Sequence, residues 1–263
     1  MNNEPQIGPA RSSLLTIIAV AIVAYASSDA VHELVGHGSV ALLSGIKVTS
    51  VSSVGLQSLE SNRLLSAGGC IANGLAGLIS FVLLRRRTKF DPAAYFLWLF
   101  GFVNLMNGTG YLLASALLNS GDWSVVIAGQ NPSWAWRMGM GIVGLVLYLA
   151  VVRWAAALLT ALVECSNIDI RELSRLTVPA YLAGGLLMIL AAVFNPFSPS
   201  LILLSGAGAS LGLTWGLLLI PGMVKARQTS DPQFLPLNWV WVGVGAAVAI
   251  VFIGVFGRGF RFA

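Results

Sequence analysis

The amino-acid sequence predicts an all-α polytopic membrane protein, with about seven transmembrane helices and a short β element after the first of them. Hydrophobic residues make up 57% of the 263 residues and charged residues only 10%, whereas a soluble domain carries about 25% charged residues. Apolar runs of about 20 residues, the length that crosses a bilayer, recur along the chain. We therefore expect an integral, multi-pass protein of the lipid bilayer, located in the plasma membrane of a prokaryote.

Seven candidate membrane spans follow from these apolar runs. They cover residues 13–44, 64–84, 93–118, 138–160, 178–195, 200–223 and 238–257. The start of the first span resembles a signal peptide, but its apolar character continues past residue 30, which favours an uncleaved span. The third span contains Asn-Gly-Thr-Gly at residues 107–110, a pattern that predicts a break in the helix.

A short β element is predicted at residues 46–58, directly after the first span. Val48, Val51 and Val54 are spaced by serine and threonine, and a β-branched run of this kind favours a strand or hairpin over a helix. Backbone of this type at membrane depth must be shielded by protein or line a wet cavity. The element is therefore expected to border a protected, water-accessible space.

The net charge of +5 is explained by membrane topology. The basic residues lie between apolar spans, and the densest basic loop, RRRTK at residues 85–89, predicts a cytoplasmic connection. No basic stretch is interleaved with aromatic residues in the manner of a nucleic-acid surface. Nucleic acid is therefore excluded as a partner.

Residues 29–37, DAVHELVGH, hold both histidines of the chain together with Asp29 and Glu33. Ionisable groups inside a membrane are costly and usually functional. Two neutral imidazoles, those of His32 and His37, can hold Zn²⁺, which lowers the pKa of a bound water to about 7. Glu33 can then act as the general base of a hydrolysis. The two cysteines cannot build a Cys-rich zinc site, so Cys70 and Cys165 are expected to be small buried residues.

The spacing of the histidines sets a geometric condition on this site. His32 and His37 are five residues apart, roughly 140° around a regular α-helix, so their side chains would diverge. Two ligands of one zinc require ring nitrogens about 3–4 Å apart. Either a π-bulge in the helix or a helix end at Gly36 would meet this condition, and both remain open here.

Three stretches resemble the site-2-protease-like intramembrane zinc metalloproteases. HELVGHGSVALLSGIKV, residues 32–48, is similar to their His-Glu-Leu-Gly-His pattern and the Leu-x-Gly-x-x-Val that follows, with one additional residue before the second histidine. GCIANGL, residues 69–75, is similar to Gly-Pro-Leu-Ala-Asn with Cys70 in place of proline. FVNLMNGTGYLL, residues 102–113, resembles the beginning of their Asn-Leu-x-Pro segment.

The resemblance implies a metalloprotease-like membrane core at residues 1–125 and accessory transmembrane helices at residues 126–263. It implies zinc as the cofactor and a membrane protein or peptide as the substrate. It also implies a role in the site for Asn73, which matches the family's asparagine. The Asp-Gly pair that supplies the family's third zinc ligand is absent from the third stretch.

Asp122 is the candidate for this third ligand. The first and third spans run in the same direction across the membrane. The histidines lie late in the first span and Asp122 lies just after the third, so Asp122 and the histidines approach the same leaflet. A turn residue after Gly121 is the alternative interpretation of Asp122. Asn104 and Asn107 are expected to line the site or to bind substrate backbone. Asp29, one turn before His32, is expected to orient that imidazole.

Two other functions remain open. Asp29, Glu33 and His37 fall at positions i, i+4 and i+8, which form one stripe on an undistorted helix, as in the proton or cation relay of a transporter. The second alternative is a non-catalytic membrane scaffold, which has the fold but lacks a productive zinc geometry. A membrane di-iron desaturase is excluded, because two histidines cannot hold two irons.

Overall fold

The computed structural model describes residues 11–225 and 233–262. The outer limits of the two regions predicted at 1–125 and 126–263 therefore lie outside the described residues. Nine α-helices are described. They are α1 (Leu14–Ala30), α2 (Gly38–Leu43), α3 (Arg63–Leu84), α4 (Pro92–Leu118), α5 (Asp122–Val126), α6 (Ser133–Cys165), α7 (Leu173–Val193), α8 (Ile220–Met223) and α9 (Trp239–Val251).

Other helical segments continue or connect these elements. The π-helices are Val31–His37, Ile202–Gly212 and Phe252–Phe256, and the 3₁₀ turns are Ile170–Glu172 and Trp215–Leu218. Joined end to end, the helices form seven units long and apolar enough to cross a membrane. These units are Leu14–Leu43, Arg63–Leu84, Pro92–Leu118, Ser133–Cys165, Ile170–Val193, Ile202–Met223 and Trp239–Phe256. The predicted polytopic membrane protein with seven spans is confirmed.

Side-chain caps fix where the long helices begin. Asn62 accepts a hydrogen bond from the backbone N–H of Leu65 at the start of α3, and Asn238 caps α9 in the same way. At α4, Asp91 accepts from a backbone N–H and Pro92 occupies the first turn. These residues satisfy N–H groups that have no partner inside the helix, and proline at this position needs no such partner.

The break predicted at residues 107–110 is wrong, because α4 runs unbroken through them. A Cβ at Gly108 would lie 2.8 Å from the backbone nitrogen of Gly74 in α3, and one at Gly110 would lie 3.3 Å from Leu213. The glycines therefore let α4 pack closely against its neighbours. The hydroxyl of Thr109 is satisfied within the helix by the carbonyl of Leu105.

The β element predicted after the first span is confirmed as a hairpin, β1 (Val48–Ser52) and β2 (Gly55–Ser58), paired antiparallel. A third strand that was not predicted, β3 (Phe260–Arg261), pairs antiparallel with the other edge of β1. The strand order is β2-β1-β3. Because β1 is central, β2 keeps a free outer edge within the part of the chain that the structure describes.

One hydrophobic core joins the two halves of the chain. Trp98 and Phe102 of α4 are fully buried, and the indole N–H of Trp98 donates to the carbonyl of Ala155 in α6. Tyr25 of α1 reaches the other way and donates to Thr214 after the second π-helix. Residues of α1, α4, α6 and α7 belong to the same core cluster. The later helices thus pack directly on the elements that carry the histidines.

Candidate metal centre

The segment Val31–His37 is a π-helix inserted between α1 and α2 without interrupting the helical path. Its flanking residues, Ala30 and Gly38, keep right-handed helical backbone. A π-turn contains one more residue than an α-turn, and the fifth residue after His32 therefore returns to the same face. Nε2 of His37 lies 3.2 Å from Nε2 of His32. Of the two geometries left open by the sequence, the π-bulge is the one present.

Both imidazoles are held by their other ring nitrogen. Nδ1 of His37 lies 2.7 Å from the backbone carbonyl of Leu65, and Nδ1 of His32 lies 2.6 Å from Oδ1 of Asn73. A carbonyl oxygen only accepts hydrogen bonds, so Nδ1 of each ring carries the proton. In the neutral rings, both Nε2 atoms therefore present a lone pair, the form that binds a metal.

The amide of Asn73 cannot turn round, because its other end is also fixed. Nδ2 of Asn73 donates to the carbonyl of Ser28 at 3.0 Å and to Oδ1 of Asn104 at 2.7 Å. Asn104 in turn donates to the carbonyl of Phe100. This chain of donors and acceptors runs from α4 through α3 to His32. It assigns the tautomer of that ring through ordinary hydrogen bonds.

Asp122, at the start of α5, completes a triangle of acceptor atoms. Oδ2 of Asp122 lies 3.0 Å from Nε2 of His32 and 3.6 Å from Nε2 of His37. Burial raises the pKa of this carboxyl, but when the two rings are protonated, the hydrogen bond from His32 and the charges of both histidines lower it more. The pKa of Asp122 therefore lies below its ordinary value, which favours the ionised form that a metal ligand needs.

Three acceptor atoms that face one another at these distances can hold a cation between them. With Nδ1 carrying the proton, the lone pairs of His32 and His37 and the Oδ2 charge of Asp122 would otherwise repel in a buried place. Two ligands at 2.0–2.1 Å from a tetrahedral zinc lie about 3.3–3.4 Å apart. The observed separations of 3.2, 3.0 and 3.6 Å bracket that value, so these residues fit zinc.

Glycines allow the close approach of α3 that brings these atoms together. A Cβ at Gly69 would lie 2.5 Å from Nε2 of His32, and one at Gly36 would overlap the backbone of Gly68 and Gly69. The absence of side chains at this crossing is therefore a condition of the site. Sequence reasoning missed the contact made by Gly68 and Gly69, although two adjacent glycines inside an apolar span are a signal of a close helix contact.

Glu33 lies beside the triangle with a free carboxylate oxygen. It is 6% exposed, and Oε2 has no hydrogen-bond partner among the described residues. A Glu33 oxygen and one ring nitrogen each of His32 and His37 all lie within 4.8 Å of one another. Tyr111 stacks on His32, with ring centroids 5.4 Å apart. Glu33 thus lies next to the triangle of acceptor atoms, with its Oε2 atom free among the described residues.

The other predicted polar residues take positions that differ from expectation. Nδ1 of His32 bonds to Asn73, so the predicted orienting contact from Asp29 is not made in the described structure. Asp29 lines the cavity, where its Oδ2 has no partner among the described residues. Asn104 is fully buried behind Asn73 and does not line the cavity, whereas Asn107 does. Of the two asparagines, only Asn107 is therefore placed to meet a ligand in the cavity.

The triangle opens into a cavity of about 740 Å³. Its walls include the first helical unit, the β hairpin, α4 and the second π-helix, Ile202–Gly212. Ser205 of that π-helix donates to the carbonyl of Val54 in the hairpin turn. The later helices, which contribute nothing to the sequence motifs, therefore close one side of the site.

The two cysteines differ in their surroundings. Cys165 is exposed, so the prediction that it is buried is wrong, because it ends α6 instead of lying within the span. Cys70 is buried as predicted, but its thiol is 3.5 Å from Oδ2 of Asp122 and donates to it. Sequence reasoning treated Cys70 as a small apolar residue. Its adjacency to Asn73 on α3 was the signal that it faces the same region.

Comparison with other proteins gives no independent assignment. No protein-family model matches the chain, and no curated protein or solved structure matches it significantly. The argument for a function therefore rests on the site itself: two imidazoles with fixed tautomers, one ionised carboxylate, a second carboxylate with a free oxygen, and a cavity that reaches them.

Proposed function

We propose that the protein is a zinc metallopeptidase that hydrolyses peptide bonds in or near transmembrane segments. The observation that carries the proposal is the convergence of two Nε2 lone pairs and Oδ2 of Asp122, with the free oxygen of Glu33 beside them. Three ligands leave a fourth position open, which is the arrangement of catalytic zinc sites. The resemblance of residues 32–48 to intramembrane metalloproteases supports the same chemistry.

Each residue has a defined part in this proposal. His32, His37 and Asp122 would hold the zinc, which when bound lowers the pKa of water to about 7 and polarises a carbonyl oxygen. Glu33 takes a proton from the attacking water and passes it to the amine that leaves. Asn73 keeps His32 in the tautomer that exposes Nε2.

The substrate would enter the cavity as an extended chain. The residues of β2 line the cavity, and β2 is an edge strand of the described sheet. An extended peptide can pair with an edge strand through its backbone. A transmembrane helix has all its backbone groups bonded internally, so a cleaved segment must unwind first. Backbone pairing with β2 would replace the hydrogen bonds that unwinding breaks, and Asn107 can contact the same backbone.

The decisive experiment compares Glu33→Gln with Asp122→Ala in purified protein, measuring zinc content and cleavage of a transmembrane peptide. Glu33→Gln keeps the shape of the side chain and removes the base, so zinc stays near one per chain while cleavage falls by about 10²–10⁴-fold. Asp122→Ala removes a ligand, so zinc itself is lost or weakened. Zinc loss in Glu33→Gln would make Glu33 a ligand and overturn its assigned part.

The relay and scaffold hypotheses give different results in the same preparation. Asp29, Glu33 and His37 all line the cavity, which is compatible with a proton path, but a relay has no need of converging Nε2 atoms. Ion flux that survives chelation in reconstituted vesicles would favour the transporter. Wild-type protein that stays free of metal when supplied with zinc would leave the relay or the scaffold and contradict the metallopeptidase.

A further inference from the structure

A fourth side chain, that of Cys70, lies beside two of the three proposed ligands. Cys70 is 2% exposed, and its sulfur is 3.5 Å from Oδ2 of Asp122. The ligand atoms of Cys70, His32 and Asp122 all lie within 4.8 Å of one another. Zinc binds thiolate sulfur at about 2.3 Å and nitrogen or oxygen at about 2.0–2.1 Å, so two such ligands of one tetrahedral ion lie about 3.5 Å apart. The separation between the sulfur and Oδ2 of Asp122 therefore matches that of two ligands of one ion.

We propose that Cys70 is the fourth ligand of the metal in the resting protein and leaves it when a substrate arrives. This inference rests on the proposed zinc site and adds a regulated state to it. Two imidazoles, one carboxylate and one thiolate form a closed, four-coordinate site, of the kind that holds metal without reacting. The resting protein is then a latent enzyme inside its own bilayer.

A second observation points to a ligand at this position. Glu33 is more than nine-tenths buried, and its Oε2 faces the same cluster without a partner among the described residues. The indole N–H of Trp123, near the Cys70 sulfur, is likewise without an acceptor there. A thiolate at Cys70 would accept from this N–H, whereas a neutral thiol accepts only weakly.

The exchange of ligands balances without any redox partner. Cys70 would hold the metal as a thiolate, and the proton of its S–H group would pass to water. On withdrawal the sulfur would take a proton back from water, which would leave the fourth position free. The released thiol then donates to Oδ2 of Asp122, the contact that the structure shows.

The test uses full-length protein in which cobalt(II) replaces zinc, because a thiolate ligand gives cobalt a near-ultraviolet charge-transfer absorption that nitrogen and oxygen ligands do not give. Three proteins are compared: wild type, Cys70→Ser, and Cys165→Ala as the matched control. Zinc-loaded wild type is measured in parallel by X-ray absorption, where a sulfur ligand appears at about 2.3 Å.

We expect the charge-transfer band in wild type and in Cys165→Ala, where Cys70 is the sole thiol, and its loss in Cys70→Ser. The band of Cys165→Ala decides the question even if Cys70→Ser fails to fold. Addition of a transmembrane peptide should diminish the band. Cobalt that binds without the band, with only nitrogen and oxygen around zinc, overturns the inference and leaves the metal site standing. Wild-type protein that binds neither metal overturns the proposed function as well.

Discussion

Two π-helices line the same cavity, but only one of them carries chemical groups. Val31–His37 contains His32, Glu33 and His37, whereas Ile202–Gly212 contains no ionisable residue. The first is clamped between glycines of α3 and held by hydrogen bonds at both imidazoles. The second packs on α7 mainly through small residues. The π geometry therefore supplies an extra residue per turn. The surrounding contacts decide whether the π-helix presents ionisable side chains to the cavity or only lines it.

The largest effect should come from removing the side chains that the first π-helix brings together. The double variant His32→Ala/His37→Ala removes two of the three proposed ligands, and zinc should fall from about one per chain to none. Metal analysis of the purified protein measures this directly. Ser205→Ala in the second π-helix is the matched control and should keep its zinc. Zinc retained by the double variant would remove the first π-helix from the metal site.

A methyl group at Gly69, where α3 contacts the first π-helix, should weaken metal binding although no proposed ligand is replaced. In Gly69→Ala the new Cβ would lie 2.5 Å from Nε2 of His32, so the ring must move. Metal affinity should fall by at least roughly 100-fold, the upper end of the range found when residues that hold metal ligands are changed. Competition with a chelator measures this affinity.

The control for this prediction lies on the same helix. A Cβ at Gly74 meets nothing within 4 Å, so Gly74→Ala should keep wild-type affinity. Equal affinities in the Gly69 and Gly74 variants would mean that the close contact of α3 does not set the position of His32.

The hydrogen bond that orients His32 should have a smaller effect. Asn73→Ala removes the acceptor at Nδ1 and frees the ring to turn or change tautomer, which should weaken metal binding by about 10- to 100-fold. Asn73→Asp keeps an oxygen at Nδ1 of His32 but turns its other oxygen toward the acceptors of Ser28 and Asn104, so it should recover part of the affinity. If the alanine and aspartate variants bind zinc equally well, the orientation of His32 is fixed by packing alone.

The sequence predicted the spans, the hairpin and the participants of the centre because each is a local signal. Apolar length, β-branched spacing and an unusual cluster of ionisable groups are all readable along the chain. The choice between a π-bulge and a helix end could not be predicted, because it depends on contacts between Gly36 and residues of α3, which are distant from it in sequence. The same reason hid the part of Asn73 at His32 and the place of Cys70 beside Asp122, since both are set by how α3 crosses the first helix.

The predicted break in α4 failed for a related reason. Gly108 and Gly110 were interpreted as local breakers, but their neighbours are Gly74 and Leu213 of other helices. In a membrane, small residues are as often the place where helices meet. Glycine has two physical consequences, backbone freedom and lack of volume, and only the packed structure shows which of them is used at a given position.

The smallest predicted effect, a change in stability, tests whether the second π-helix only lines the cavity and has no part in metal binding. Ser205 donates a 3.3 Å hydrogen bond to the carbonyl of Val54, the tie between this π-helix and the hairpin. Ser205→Ala should lower the free energy of unfolding by about 0.5–1.5 kcal/mol, a shift of a few degrees or less in the thermal midpoint. Thermal unfolding in detergent measures the shift, and Ser200→Ala is the control, because Ser200 is an exposed serine two residues before the same span. Zinc content should not change in either variant, because no ligand contacts Ser205. A Ser205 variant that loses zinc would show that the two π-helices act as one unit, since the hairpin would then transmit the disturbance across the cavity to His32 and His37.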